Sequence, residues 1–564
     1  MINSSHKYFF TRFVKQHIFT MACLIVLSSI SAIFSYVMPL LLKSLVDDVI
    51  IGGKNELLGY ILLEIFGIYL ISSVSTYLAG YKKGKLDLIL FTDVANEAFS
   101  SIQFASIKKT QEMKVGDLLS RVAVNTRSAI NMFTYIIPEF IINTIRIILP
   151  FTMMLFLNTT LALIVIAPAL LFVIPMSFFG RRLERTQRAS LEKTASVYSF
   201  LKENLSMIPL IKVFGLETWS RDKFNLQMKD YYGASIDYTR NSSLRSSMDS
   251  LMYGIPMFLL ILFGSPMVMH GLLTLGAFTA FISYVSLFFS PITQFAYLWS
   301  YYRSSSPAFD RVNEVFQMEP DMEGTDNLKV NDGVIEFEDV WFSYHNRPVL
   351  HGFNATFKKG LNYVIGDNGS GKSTVFKLLC SLYPLERGHI KIDDQEISRI
   401  RKEDLRNNIS MIFSDPYLFD GSIYENIRIG NLSSSREQIM HAAKLVRVHD
   451  FIGSLPHGYE TQVGESGLKL SSGEKQKIAL ARAVLKNSPI ILLDEVTKSI
   501  DEDSRISINE VIKDLKKDKT IIIITHITSE IEDGSNIVHL GQEKSLKNYL
   551  PYLANRSIPK PIFT

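Results

Sequence analysis

The residues Gly366-Asp367-Asn368-Gly369-Ser370-Gly371-Lys372-Ser373-Thr374 spell G-x-x-x-x-G-K-[ST]. That pattern is a phosphate loop when an apolar strand precedes it and a helix follows. Leu361-Asn362-Tyr363-Val364-Ile365 reads as the strand and Val375-Phe376-Lys377-Leu378-Leu379 as the helix. Glycines let successive backbone N–H groups face an anion. Lys372 is expected to reach the β- and γ-phosphates of a nucleoside triphosphate, and the Ser373 hydroxyl to ligate Mg²⁺. A second constellation follows: Ile490-Ile491-Leu492-Leu493 runs into Asp494-Glu495. An apolar run ending abruptly in acids suits a buried parallel strand whose C-terminal edge holds a site. Asp494 would hold Mg²⁺ through water and Glu495 would polarise an attacking water.

These groups need a sheet, and residues 334–358 begin one with alternating strands. The chain upstream has a different character. Over 564 residues, 47% are hydrophobic and 20% charged, which excludes a disordered chain. The apolar excess is concentrated in residues 1–310. The 59 Lys+Arg against 55 Asp+Glu are too balanced for a dedicated nucleic-acid binder. Two cysteines, Cys23 and Cys380, cannot build a disulfide framework or a four-ligand zinc site.

A bilayer span needs about 20 mostly apolar residues. Six stretches qualify, at 18–41, 57–80, 134–157, 159–180, 249–270 and 276–300. Lys7, Arg12 and Lys15 precede the first, Lys82, Lys83 and Lys85 follow the second, and Arg181, Arg182, Arg185 and Arg188 follow the fourth. The alternate connections hold only Lys54. The positive-inside rule therefore places the N-terminus and the long connections in the cytoplasm. Those connections, 81–133 and 181–248, are charged and helically periodic, so they are expected to continue the spans as helices.

Leu470-Ser471-Ser472-Gly473-Glu474 enters another helix, where an anion is favoured at the N-terminus. Here the chain resembles the ATP-binding cassette (ABC) family, specifically its exporter half-transporters. Their signature loop reads L-S-G-G-Q; Ser472 and Glu474 replace its first glycine and its glutamine. The resemblance implies an α-helical six-span transmembrane domain fused to an α/β P-loop nucleotide-binding domain. It implies that Ser471, Gly473 and Glu474 complete the ATP site of an opposite subunit, so that two ATP molecules are sandwiched in a dimer. Tyr344 resembles the aromatic that stacks on adenine, and His526 the histidine that contacts the γ-phosphate. Val463-Gly464-Glu465-Ser466-Gly467 is similar to the segment sensing the membrane domain, and Ser499-Ile500-Asp501 to the loop crossing the dimer interface. Residues 116–121 and 211–217 look like the cytoplasmic contact regions, and Thr274-Leu275-Gly276-Ala277-Phe278 like the start of the sixth span. The expected boundaries are 1–315 for the membrane domain, 316–332 for a linker and 333–564 for the cassette.

The chain departs from that family at three places. Ser414, followed by Asp415, stands where a Mg²⁺-ligating glutamine is usual; Asp415 is a good hard-cation ligand. Ile527 replaces an arginine, and Val496-Thr497-Lys498 is an unusual link. A similar Phe-Ser-Asp sequence occurs in some peptide exporters, which points to a small modified or antimicrobial peptide as cargo. Multidrug or lipid export is the alternative, as is a non-transporting regulator or channel. A soluble DNA-repair cassette is excluded by the spans. With span one near residue 18, the chain is expected not to cut a leader peptide itself. Ionisable groups inside spans are costly and are usually paired or functional. Arg146 is expected either to pair with Glu64 or Glu139, or to receive an anionic group of the cargo. The aromatics Phe278, Phe281, Tyr284, Phe288, Phe289, Phe295 and Tyr297 fit either helix packing or a cavity wall. The expected partners are a second copy or a related half-transporter, membrane lipid, and no nucleic acid.

Overall fold

In a computed structural model the chain divides into two units. Residues 4–541 are described apart from 322, 346, 465, 466, 499 and 527–530, together with the strand Ile562–Phe563; the side chains of 4, 5, 169–177, 296, 304, 562 and 563 lie outside the described set. Glu465, Ser466, Ser499 and Ile527 therefore fall outside the described residues.

The first unit, Met1–Gln103 with Met113–Met318, is helical. Among the described residues five helices are long and apolar enough to cross a membrane: His6–Ile51, Glu56–Phe104, Val115–Leu157, Glu217–Met269 and Leu275–Phe316. Six were expected. The missing one, 159–180, lies on the helix Thr159–Ser206, whose described apolar run is Thr159–Pro168.

Helices solve the backbone problem in lipid, because every interior N–H and C=O finds its partner within the segment. Polar caps mark where they turn. Asn158 accepts from Leu161 N at 2.9 Å and Thr274 from Ala277 N at 3.1 Å. Glu56–Phe104 has 49 residues, about 74 Å of helix, so it outruns any bilayer. Leu275–Phe316 has half of its apolar window buried, against 11% for Glu56–Phe104. The former is thus the centre of the bundle, and the latter presents Leu63, Phe66 and Tyr69 outward.

The second unit, Phe104–Glu112 with Glu319–Thr564, is α/β. An antiparallel sheet runs β2-β1-β4-β5, from β1 (Ile335–Tyr344), β2 (Arg347–Phe357), β4 (Arg387–Ile392) and β5 (Gln395–Glu396). A parallel sheet runs β10-β9-β3-β8-β7-β6, from β3 (Gly360–Gly366), β6 (Ile409–Ile412), β7 (Ile490–Asp494), β8 (Thr520–Ile524), β9 (Asn536–Leu540) and β10 (Ile562–Phe563). Every residue of β7 and β8 is buried, which their unbroken apolar sequence requires of strands covered on both faces. Val364 pairs with Ile524 and Asp494 with Ile524. The ends of β3, β8 and β7 are therefore level, and whatever follows each of them converges on one edge.

The unit also takes in a short piece of the first long connection. The helix Ile107–Gln111 is tied here by a bridge from Ala105 to Pro320 and by Asp321 N donating to Phe104 O at 2.8 Å. Ile107 packs on the sheet core, and Tyr383 donates its hydroxyl hydrogen to Gln111. In residues 116–121, assigned to the first unit, Asp117 lies 2.9 Å from Arg121, which also pairs with Glu314. One apolar side chain, Ile107, followed by two lysines, is too little to show as a pattern in sequence.

Candidate functional site

The phosphate loop hangs between β3 and the helix Lys372–Leu379. Gly371 has φ +99°, and a Cβ there would lie 2.8 Å from Val349 Cγ1, so only glycine fits. Lys372 is 5% exposed; its Nζ donates to Gly366 O at 3.0 Å and Asp367 O at 2.8 Å. Burial pushes its pKa down, against the pull of Glu495, Asp367 and Asp494. The ammonium thus props the loop from within. Asn368 and Gly369 at the tip are exposed, Ser370 is half-buried and Thr374 is buried on the helix.

Ser373 Oγ donates to Asp494 Oδ1 at 3.1 Å. Burial pushes the Asp494 carboxyl up, opposed by the Ser373 hydrogen bond. Two hard oxygen donors, one a buried carboxylate, make a seat suited to a divalent ion. Among the described residues no group of three or more His, Cys, Asp or Glu forms a metal cluster.

Glu495 follows with φ +48°, an uncommon conformation for a non-glycine residue. Its N–H still donates to Ile524 O at 3.0 Å. His526 Nε2 lies 2.6 Å from Glu495 Oε1, and Lys498 Nζ lies 2.5 Å from Oε2. Burial alone would raise the Glu495 carboxyl; the Lys498 hydrogen bond, with His526 alongside, reverses that and holds it below the usual carboxylate range. The β3-β8-β7 order explains the meeting, since His526 leaves β8 between the other two strands. Sequence reading expected His526 and Glu495 each to serve the nucleotide. Their mutual contact, and the Lys498 contact, it did not foresee, although Lys498 stands three residues on in a turn.

Tyr344 ends β1 with its ring 5.2 Å from Tyr383, edge to face, and Lys377 Nζ lies 5.8 Å from its centroid. The residues of the signature segment serve helix starts. Ser471 caps the helix Ser472–Lys486: Glu474 N donates to its Oγ at 3.3 Å, and Ser471 N donates to Glu474 Oε2 at 2.7 Å. Glu474 thus closes a capping box. Gly473 is buried, with room for no side chain between Ser504 Oγ and Asp501 Oδ1. Asp501 caps the helix Glu502–Leu515, accepting from Ser504 N at 2.8 Å. Ser414 and Asp415 are exposed and line a cavity of about 290 Å³ with Ser472, Lys475, Gln476 and Lys498. Gln476, which sequence reading passed over, donates to Ser414 O at 2.8 Å and so fixes that segment.

In the helical unit, Arg146 Nη1 lies 3.6 Å from Glu139 Oε2, with Asn143 donating to the same carboxylate at 3.3 Å. Glu64 is exposed and takes no part in that pair. Of the sixth-stretch aromatics, Phe281, Tyr284, Phe288 and Phe289 are buried in the helix core, so packing accounts for them.

A phosphate loop, an acid pair and a histidine on one edge of a parallel sheet, joined to a bundle of apolar helices, define an ATPase built into a membrane protein. Residues 21–292 match the ABC transporter transmembrane region and residues 350–498 the ABC transporter family model. A Bacillus subtilis protein named for multidrug export, YgaD, is 29% identical over 91% of this chain and 92% of its own. An ATP-dependent lipid A-core flippase of Syntrophus aciditrophicus is 26% identical, over 92% of this chain and 86% of its own. A solved bacterial Atm1-family ABC exporter with ATP bound shares the fold, with TM-score 0.79 at 22% identity over 96% of this chain and 99% of its own. The chain belongs to the ABC transporter family as an exporter half-transporter. It is a multi-pass protein of the bacterial cytoplasmic membrane that couples ATP hydrolysis to export.

Proposed function

We propose that two copies of this chain clamp two ATP molecules and move an amphipathic cargo, a small modified or antimicrobial peptide, outward by alternating access. The single observation that carries the ATPase part is the juxtaposition of Ser373 with Asp494 and of Glu495 with His526 on one sheet edge. Lys372 and the backbone from Asn368 to Thr374 hold the phosphates, and Tyr344 stacks on the base. Ser373 and Asp494, with Ser414 or Asp415 from the cavity wall, would hold Mg²⁺, which would supply charge neutralisation at the phosphates. Glu495 polarises the attacking water and His526 orients the γ-phosphate. Ser471, Gly473 and Glu474 serve the ATP of the partner copy, as does Asp501 at the interface.

The same reading has the chain cross the membrane six times, with Thr159–Ser206 as the fourth crossing. Support comes from the apolar sequence 159–180 and from the cytoplasmic side to which six crossings return the cassette. The membrane domain is taken as 1–315, the linker as 316–332 and the cassette as 333–564. Exposed Val213 and Phe214, at the tip of the second long connection, suit docking on the partner copy. The Arg146–Glu139 pair, only half-buried within apolar helix, supports a cargo with charged as well as apolar parts. Glu64 is a further candidate contact. Lipid or drug export is the second reading, favoured by the names of the relatives. ATPase stimulation of the purified chain in lipid nanodiscs, by a panel of peptides, lipids and drugs, separates them. Stimulation by lipids or drugs and by no peptide would refute the peptide cargo.

A further inference from the structure

One oxygen of Glu495 accepts from Lys498 and the other lies against His526, both of its own chain. The backbone turns after β7, Lys498 N donating to Glu495 O at 3.0 Å, and this turn carries Lys498 Nζ to 2.5 Å from Oε2. His526 Nε2 takes Oε1 at 2.6 Å. Of the other charges nearby, Asp494 accepts from Ser373, and Lys372 is committed to the Gly366 and Asp367 carbonyls. The two captors of Glu495 are unlike. The Lys498 side chain is 60% exposed, against 16% for Glu495. It also lines, with Asp415 and Lys475, the cavity of about 290 Å³. A flexible, mostly solvated cation that shares a cavity with a second carboxylate, Asp415, can move, whereas the less exposed Glu495 stays at the sheet edge.

We infer that Lys498 is a positioning residue that restrains hydrolysis by occupying the Glu495 oxygen the attacking water must use. Hydrolysis proceeds once Lys498 withdraws into the adjoining cavity. The inference rests on Glu495 being the water-polarising group, and its test separates the two ideas. An exposed ion pair sets the scale, roughly a two- to fivefold effect.

The test is steady-state ATPase of the purified full chain in nanodiscs with Mg²⁺ and ATP. Lys498→Met and Lys498→Ser are expected to raise kcat by roughly two- to fivefold while KM for ATP stays within about twofold. Lys498→Arg, which keeps the cation, is expected to restore the slow rate. A kcat that falls or stays level in both neutral variants, or a KM rise beyond that range, overturns the restraint. Lys498→Met with Glu495→Gln is expected to be as inactive as Glu495→Gln alone. Normal turnover in Glu495→Gln alone would instead remove the role of Glu495, a failure distinct from that of the restraint.

Discussion

Replacing Lys372 by methionine keeps the stem of the side chain and deletes its ammonium. In the free protein that ammonium donates to Gly366 O at 3.0 Å and Asp367 O at 2.8 Å, from a position only 5% exposed. It is a cation kept in a low-dielectric pocket at the root of the phosphate loop, and its pKa is depressed by that burial. A hydrogen bond to a charged group contributes about 1.5–3 kcal/mol. Losing one such bond to phosphate weakens binding by roughly 10- to 150-fold, at about 1.4 kcal/mol per decade. The unfolding temperature should move little, because removing a desolvated charge offsets the loss of its two carbonyl partners. Titration calorimetry of the Lys372→Met chain with ATP reads the affinity, and a thermal melt without nucleotide reads the fold. An ATP Kd within threefold of the parent, with the fold intact, would refute this account of the loop.

Glu495→Gln should lower kcat by about 10²- to 10⁴-fold, the range for a lost general base, while ATP binding persists and a closed dimer accumulates. Crosslinking between cassettes in the presence of ATP measures the trapped state. Arg146→Ala leaves Glu139 without its cation inside apolar helix and should lower the melting temperature in detergent. Unchanged stability with lost transport would mean that Arg146 serves cargo instead. Tyr383→Phe removes the donor to Gln111, a loss of about 1 kcal/mol. It should leave ATP turnover within about twofold, since the ring packed edge-on against Tyr344 remains, while transport per ATP falls, since Gln111 lies on the connection 81–133 between spans. Equal transport per ATP in a vesicle flux assay would dismiss that link.

The amino-acid sequence by itself determined the parts that depend on local pattern. The phosphate loop, the apolar strand ending in Asp494-Glu495 and the capped helix after Ser471 are runs of neighbouring residues, so their chemistry is legible from spacing alone. The apolar spans are legible for the same reason, because a bilayer demands about 20 consecutive apolar residues. Tertiary structure alone decided which distant groups meet. The order β3-β8-β7 puts His526 against Glu495, and no local pattern encodes the order of parallel strands. The turn that returns Lys498 onto Glu495, the grip of Gln476 on the Ser414 carbonyl and the choice of Glu139 over Glu64 for Arg146 are of the same kind. Each is a side-chain contact whose formation depends on backbone path and packing, which periodicity cannot specify.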